Sequence, residues 1–599
     1  MGTRQEKSRQ IRQRLAQVRS KMRAQQIDAW YVSGTDPHQS EYLPDHWQSR
    51  AFLTGFTGSA GSVVVTESDA ALWTDSRYFL QAADQLKGTG IKLMKMRMPG
   101  TPRPAAWLGE KLSPNSIVAT EASCMAAAEF RSLGKELKNI GMRLQHRTDL
   151  LVSLWTNRPA LPVKQVFEHE MTYAGTSRQE KIRLIRDRLV ENGTRATLLT
   201  ALDDIAWTFN LRGHDVRYNP VFVAYALITD SQVSLYMPAE KLPSTLKTKL
   251  KAEKIGLRPY EAVFSDLKKL DVSILLDPAC TNQGLYEAIP KEAIIRERTS
   301  IPSLLKAVKS DAELQQIRET MKKDGAAMVR FLHWIYKTVG TKALTDYDIA
   351  LKLDEFRTEQ QNYQGPSFSP IVGYQETGAV VHRSVSKADA LPVNRKGILL
   401  IDSGGQYLSG TTDITRTIAL SVPSARQKTD FTLALKGMIS LTNACFPENT
   451  PGCNLDILAR KAMWEHGITY GHGTCHGIGF FLNVHEGPMS IRQEYNANSI
   501  LPGMVLSNEP GIYREGEYGI RTENMMVCVE RKKTDFGNFL GFETLTLCPI
   551  DRTMIDTTLL TAEEKKWTDR YHVRCYQELA PLLNMEEKIF LKQLTAPLK

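Results

Sequence analysis

The chain has 599 residues, 42% of them hydrophobic and 24% charged, a formal net charge of +10 and a mean hydropathy of −0.31. One hydrophobic core cannot serve that length: at roughly 100–200 residues per domain, three or more domains are expected. No apolar run approaches the ~18 residues of a membrane span, and the positive charge, spread without a Lys/Arg block or interleaved aromatics, offers no recognisable nucleic-acid site.

The opening MGTRQEKSRQIRQRLAQVRSKM lacks the apolar core of a secretory signal. It begins Met-Gly, but Glu6 stands where a myristoylation motif requires Ser or Thr. Ile11, Leu15, Val18 and Met22 fall at helical spacing, which predicts an amphipathic helix whose basic residues are a solvated face. Strand-like runs (Ala29–Val32, Gly61–Thr66, Ala71–Thr74) then alternate with helical ones such as Tyr78–Leu86. Two prolines within Asn157–Val163 mark a first break.

The mixture recurs beyond it, with a helix-like Arg178–Asn192, an apolar Ala196–Thr200, then Asp204–Leu211 and Val221–Thr229. Both segments read as modest α/β domains of related style, residues 1–160 and 161–302. A second break is expected near Thr299–Ser303. Ser310-Asp-Ala-Glu313 then has the form of a capping box, followed by Leu314, Ile317, Met321, Met328, Phe331, Leu332 and Ile335 at near-helical spacing. Residues 303–599 carry the chemistry. The eight cysteines are scattered without a CxxC pair, as expected of reduced thiols in a cytoplasmic protein; Cys475, beside His476, reads as a small buried hydrophobe.

In the third segment the apolar Gly397–Ile401 ends in Asp402, followed by a glycine-rich turn. The returning Thr411–Leu420 alternates with period two, placing Asp413, Thr415 and Thr417 on one face. Two carboxylates on turn-connected strands repel unless a proton or cation lies between them. Gly471-His-Gly-Thr-Cys-His-Gly-Ile-Gly479 packs four glycines around His472 and His476, and His485 follows. Glycine at that density suggests a strand or loop rather than a helix. Glu509 closes an expected strand from Val505, and Glu523 sits on another expected from Gly519 to Val527. Four carboxylates and one imidazole are like the ligands of paired divalent ions; oxygen-rich ligation with one His suits Mn2+, Co2+, Fe2+ or Zn2+, and the lack of cysteine ligands argues against structural zinc.

Asp402, Asp413, His476, Glu509 and Glu523, within the HGTCHGIG and SNEPGIY blocks, resemble the metallopeptidase family of aminopeptidase P, prolidase, methionine aminopeptidase and creatinase. Tyr31–Tyr42, Phe52–Gly61, Trp73–Phe79, Ala201–Phe222 and Phe542–Ile550 extend the likeness to the long, three-domain, cytosolic Xaa-Pro aminopeptidases. The resemblance implies an α/β (α+β) architecture: two creatinase-like N-terminal domains, then a catalytic pita-bread domain over 303–599. It implies two divalent ions, with Mn2+ expected and Zn2+ or Co2+ as alternatives. Asp402 would bind one ion terminally, Asp413 and Glu523 would bridge, and His476 and Glu509 would bind the other. His382, His472 and His485 match the family's substrate-side histidines.

The activity implied is a proline-specific metalloprotease: a hydroxide bridging the ions attacks the bond before a penultimate proline, with Glu509 as general base. His485 or His382 would supply a hydrogen bond to the developing gem-diolate. Arg521 reads as a carboxylate holder or a surface arginine, and Trp47, Arg50 and Arg77 as candidate contributors from the N-terminal domains. Peptides with proline second are the expected partners, in a cytoplasmic homodimer with no further cofactor, nucleic acid or membrane. Prolidase, acting on Xaa-Pro dipeptides alone, and a non-catalytic peptide-binding protein are the alternatives.

Overall fold

In the computed structural model, residues 4–598 are described; the Met-Gly start lies outside the described residues. Helix α1 (Arg4–Ala24) buries Ile11, Leu15, Val18 and Met22 as their spacing predicts. The chain divides into two compact units, one holding the described residues up to His169 with Thr176–Pro302, the other Glu170–Gly175 with the described residues from Ser303 on.

The first unit contains two six-stranded sheets. Strands β1 (Ala29–Val32), β2 (Ser62–Thr66), β3 (Ala70–Thr74), β4 (Lys92–Lys95), β5 (Ile117–Thr120) and β6 (Arg143–His146) lie in the order β4-β3-β2-β1-β5-β6. Strands β7 (Ala196–Leu199), β8 (Tyr225–Thr229), β9 (Val233–Tyr236), β10 (Ile255–Arg258), β11 (Ile274–Leu276) and β12 (Ile295–Glu297) repeat it as β10-β9-β8-β7-β11-β12. The orientations match as well: β1/β2 and β2/β3 are antiparallel like β7/β8 and β8/β9, and the remaining pairs are parallel. The likeness of style in the sequence is thus one topology used twice. Within Val221–Thr229 the strand covers Tyr225–Thr229, and helix α2 (Arg178–Glu191) starts at a Ser177 side-chain cap.

The predicted break near Thr299–Ser303 falls on a short helix, Ile301–Ala307. Pro302 sits in its first turn, where the missing N–H breaks no helical bond. Helix α3 (Asp311–Thr338) begins at the predicted capping box, with Ser310 and Glu313 bonding reciprocally. It pairs with α4 (Asp346–Thr358) over an antiparallel sheet of β13 (Ile371–Tyr374), β14 (Ile398–Ser403) and β15 (Ile414–Ala419). Phe331, Leu332, Ile349, Leu353, Val372, Leu399 and Ile401 form the core of this half.

Helices α5 (Ala425–Thr442) and α6 (Gly452–Trp464) cross where Gly437 lies so near the Ala459 carbonyl that a Cβ would sit 2.2 Å from it. They pack on an antiparallel sheet ordered β16-β23-β22-β19-β17-β18. Its strands are β16 (Cys445–Pro447), β17 (Cys475–Gly477), β18 (Glu486–Ile491), β19 (Val505–Leu506), β22 (Met526–Thr534) and β23 (Gly537–Thr544). Hairpin β20 (Gly511–Arg514) and β21 (Tyr518–Arg521) interrupts it in sequence. Leu441, Leu455, Cys475, Ile491, Met526 and Phe542 share this core, so Cys475 packs as the hydrophobe expected. Helices α7 (Ala562–Leu579) and α8 (Met585–Leu594) complete the unit. Among the described residues, no helix is long and apolar enough to cross a membrane.

Candidate metal centre

A buried apolar run delivers the first carboxylate: Ile398–Ile401 lie inside the sheet, and Asp402 pairs with Thr415 across β14/β15. Gly404 makes the reversal possible, since a Cβ there would lie 1.9 Å from the Thr412 carbonyl. The period-two reading of the return strand holds. Thr415 Oγ1 donates to Glu523 Oε2 at 2.7 Å, and Thr417 Oγ1 to the Arg521 carbonyl at 3.0 Å. Asp413 immediately precedes β15.

The glycine-rich block forms strand β17, with a register shift between His476 and Gly477. Gly477 is required by crowding, as a Cβ would meet the Glu486 carbonyl at 2.5 Å. His476 Nδ1 lies 2.9 Å from the Gly477 carbonyl, which makes Nδ1 the N–H and leaves Nε2 as a lone-pair donor. That Nε2 is 3.4 Å from Asp413 Oδ2 and 3.5 Å from Glu509 Oε1. One ligand atom each from Asp413, His476 and Glu523 falls within 4.8 Å of the others.

Glu509 and Glu523 do not sit on strands as expected. Strand β19 ends at Leu506, and Glu509 follows in an extended segment whose amide bonds the Thr474 carbonyl at 3.0 Å. Pro510 has no donor with which to continue a ladder. Past Arg521, Thr522, Glu523 and Asn524 each bond a different partner (the Pro510, Thr415 and Asn508 carbonyls), so Glu523 lies in a crossing between β21 and β22.

Arg521 is 1% exposed, which resolves its two readings in favour of the carboxylate holder. Its guanidinium bonds Asp402 Oδ2, the Thr415 hydroxyl at 3.0 Å and the Tyr513 hydroxyl at 2.7 Å. Tyr513 in turn faces His472 Nε2 at 2.8 Å, and His472 Nδ1 bonds the Gly473 carbonyl. The sense of the chain follows: Arg521 donates to Tyr513, whose O–H donates to His472. Tyr513 escaped the sequence reading; its signal is pairwise, since Gly511 opposes Arg521 across the hairpin and Tyr513 lies diagonally adjacent. His485 stands edge-on to His476, with ring centroids 4.4 Å apart. His382 is half-buried in the turn after β13, beside Arg383, which bonds Asp346.

The electrostatics are those of gathered like charge. Burial, then Asp402 and Glu509, holds the Asp413 carboxyl well above the usual range. Burial, then Asp413 and Asp402, does the same to Glu523. Glu509 is pushed up to about 7 by burial and then by Glu523, against the opposing pull of His476 and Arg521. Asp402 Oδ1 is buried without a hydrogen-bond partner among the described residues.

The candidates from the first unit are engaged within it. Trp47 is buried beside His38 and His46, Arg50 is buried on the carbonyls of Gly34, Gly58 and Gly61, and Arg77 pairs with Asp75 and Glu41.

Family models match most of the chain. Residues 14–146 and 157–313 each match the creatinase/prolidase N-terminal domain, 315–530 match metallopeptidase family M24, and 538–598 match the C-terminal region of peptidase M24. A probable Xaa-Pro aminopeptidase P of Coccidioides posadasii is 39% identical over 98% of this chain and 93% of its own length. One from Laccaria bicolor is 38% identical over 95% and 91%. The crystal structure of an X-prolyl aminopeptidase from Caenorhabditis elegans, described as a cytosolic enzyme with a di-nuclear active site, aligns with a TM-score of 0.94 at 32% identity, covering 98% of this chain and 99% of that one. An Xaa-Pro dipeptidase from Bacillus anthracis (TM-score 0.50, 23% identity, 63% of this chain and 99% of that one) shares the fold alone. The chain belongs to the Xaa-Pro aminopeptidase P family, with creatinase-like N-terminal domains followed by a pita-bread metallopeptidase domain.

Proposed function

We propose that this chain is a metal-dependent aminopeptidase that removes the first residue from peptides with proline second, and that Asp402, Asp413, His476, Glu509 and Glu523 hold two divalent ions. The observation that carries the reading is the convergence of Asp413, His476 and Glu523 within 4.8 Å. The residues fit such ions: Asp402 Oδ1 is an orphaned buried acceptor, and His476 is oriented by its Nδ1 bond to offer Nε2. Oxygen-rich donors with one imidazole suit Mn2+, the ion proposed, and also Co2+ or Zn2+. When bound, the pair supplies Lewis acidity and lowers the pKa of a coordinated water.

The remaining work belongs to side chains. Glu509 accepts a proton from the attacking water and delivers it to the departing prolyl nitrogen. That nitrogen carries no hydrogen in the Xaa-Pro amide and leaves as a secondary amine only after gaining one. His485 and His382 are the proposed donors to the negative oxygen that develops on the attacked carbonyl. His472, which receives the Tyr513 hydroxyl, steadies the Tyr513–Arg521–Asp402 chain. Division of the chain at 160/161 and 302/303, a cytoplasmic setting and a homodimer belong to the same proposal. The C. elegans relative, described as cytosolic, supports the setting, and light scattering on the purified protein tests the dimer.

The deciding assay uses chelator-stripped protein, Xaa-Pro dipeptides and Xaa-Pro-Yaa tripeptides, and added Mn2+, Co2+ or Zn2+. Release of the first residue alone is expected once metal is restored. Cleavage confined to Xaa-Pro dipeptides would select prolidase, and inactivity with every ion would leave the non-catalytic alternative.

A further inference from the structure

The chain beyond Gly537 contains none of the proposed ligands or histidines, yet one of its helices reaches the back of the site. Arg416 lies on β15 between Thr415 and Thr417, so alternation turns its side chain away from the face that carries Asp413. It is 1% exposed, and among the described residues its hydrogen-bond partners are all neutral oxygens. Nη1 donates to the carbonyls of Thr415 (2.9 Å) and Glu523 (2.5 Å). Nη2 donates to Asn524 Oδ1 (2.8 Å), the Cys548 carbonyl (2.8 Å) and the Tyr571 hydroxyl (2.9 Å), and Nε to the Pro549 carbonyl (3.0 Å).

A guanidinium buried without a carboxylate is costly unless every donor is satisfied. Here the donors grip the backbone at both ends of one contact, because the Thr415 hydroxyl is what holds Glu523 Oε2. Tyr571, on α7 and 5% exposed, completes the far side. Its hydroxyl accepts from Arg416 and from the Cys548 amide (3.3 Å) and lies 2.9 Å from the Cys548 carbonyl.

We infer that Arg416 and Tyr571 form a positioning clamp through which helix α7 sets the placement of Glu523, so that ion affinity at the Asp413–His476–Glu523 cluster depends on the C-terminal region. Neither residue touches substrate or ion; both act through Glu523 and Thr415. The inference rests on the proposed assignment of Glu523 as a ligand.

The test titrates Mn2+ into chelator-stripped full-length protein, by calorimetry and electron paramagnetic resonance. Absence of Mn2+ binding by the wild type would remove the metal-site reading itself. With two ions bound by the wild type, Tyr571→Phe is expected to weaken Mn2+ binding ~10-fold or more, the range for residues that orient ligands, and to alter the Mn2+ spectrum. The phenylalanine ring retains the stacking on Trp567. Tyr576→Phe on the same helix should leave binding unchanged. A fall in thermal stability with an unchanged dissociation constant is the signature of a purely structural role and overturns the clamp. Should Tyr571→Phe fail to fold, amide exchange in the wild type decides. Coupling is reciprocal, so Mn2+ should slow exchange at Cys548 and along 567–575 relative to α8, and equal exchange with and without Mn2+ overturns the inference.

Discussion

Replacing Glu509 with glutamine in metal-free protein isolates the cost of gathering like charges. Burial and the Glu523 carboxylate raise Glu509 from an ordinary 4.5 to about 7, and its side chain is 18% exposed. At ~1.4 kcal/mol per pH unit, that rise makes the ionised form about 3 kcal/mol less favourable folded than unfolded. Below pH 4.5 the carboxyl is protonated in both states and its stabilisation is fully present. Between 4.5 and 7 the unfolded chain ionises first and stability is lost, and above 7 the whole penalty applies. The neutral amide escapes it. Chelator-stripped Glu509→Gln should therefore melt higher than wild type at pH 8, by roughly 6 °C at ~2 °C per kcal/mol for a unit of this size, with little gain at pH 5. Once Mn2+ is restored, wild type should regain peptide turnover and Glu509→Gln should not. Scanning calorimetry at the two pH values reads the difference. An equal gain at both, or a loss at pH 8, would refute the charge-gathering account.

Four other outcomes are expected. Mn2+ affinity should fall as pH drops, because Asp413 and Glu523, held high by burial and by neighbouring carboxylates, must release protons to bind; calorimetry in buffers of different ionisation enthalpy reads the release, and buffer-independent heats would contradict it. Arg521→Lys keeps the charge but loses the fork joining Asp402, Thr415 and Tyr513, so ion affinity should fall ~10-fold or more; undiminished metal content after dialysis would count against this. Gly437→Ala should destabilise by about 1–3 kcal/mol through overpacking against Ala459, outweighing a propensity gain of ~1 kcal/mol; a raised melting temperature would be the wrong sign. Burial depresses His38 from 6.5 to about 3, so its contribution is complete above pH 6.5 and is lost at ~1.4 kcal/mol per pH unit as pH falls towards 3; His38→Gln should flatten that slope, and an unaltered slope would exclude His38 as its source.

Features encoded within a few residues were legible in the sequence. The capping box at Ser310 and Glu313, the α1 stripe and the face shared by Asp413, Thr415 and Thr417 each depend on local spacing. Strand order was not legible, because pairings such as Ala29 with Val118 join distant residues; the twin sheets were visible only as a repeated style. Glu509 and Glu523 were misread as strand residues for a related reason. Each segment begins or ends in true strand residues, Val505–Leu506 in one and Gly519–Arg521 with Met526–Val527 in the other, but the strand ends at Leu506 ahead of Pro510, and successive amides from Thr522 to Asn524 turn to separate partners. Tyr513 and Arg416 went unnoticed because their roles reside in bonds across the fold: Tyr513 meets His472, and Arg416 meets Glu523 and Tyr571.

Those distant bonds follow from one charge problem. Asp402, Asp413, Glu509 and Glu523 are brought together, and the Nδ1 bond of His476 turns its Nε2 toward Asp413 and Glu509. Arg521 directs its charge at Asp402 and stands 3.9 Å from Glu509, so one guanidinium faces four carboxylates. Protons relieve the remainder at low pH, as the raised Asp413, Glu509 and Glu523 carboxyls indicate; near neutrality, divalent cations are the more effective relief. Thr415, Arg416 and Tyr513 are neutral or cationic at every contact they make with this cluster or its scaffold. They hold the ligands without adding to the repulsion, which lets the site keep an ion-ready arrangement while its excess negative charge is left for the ions to neutralise.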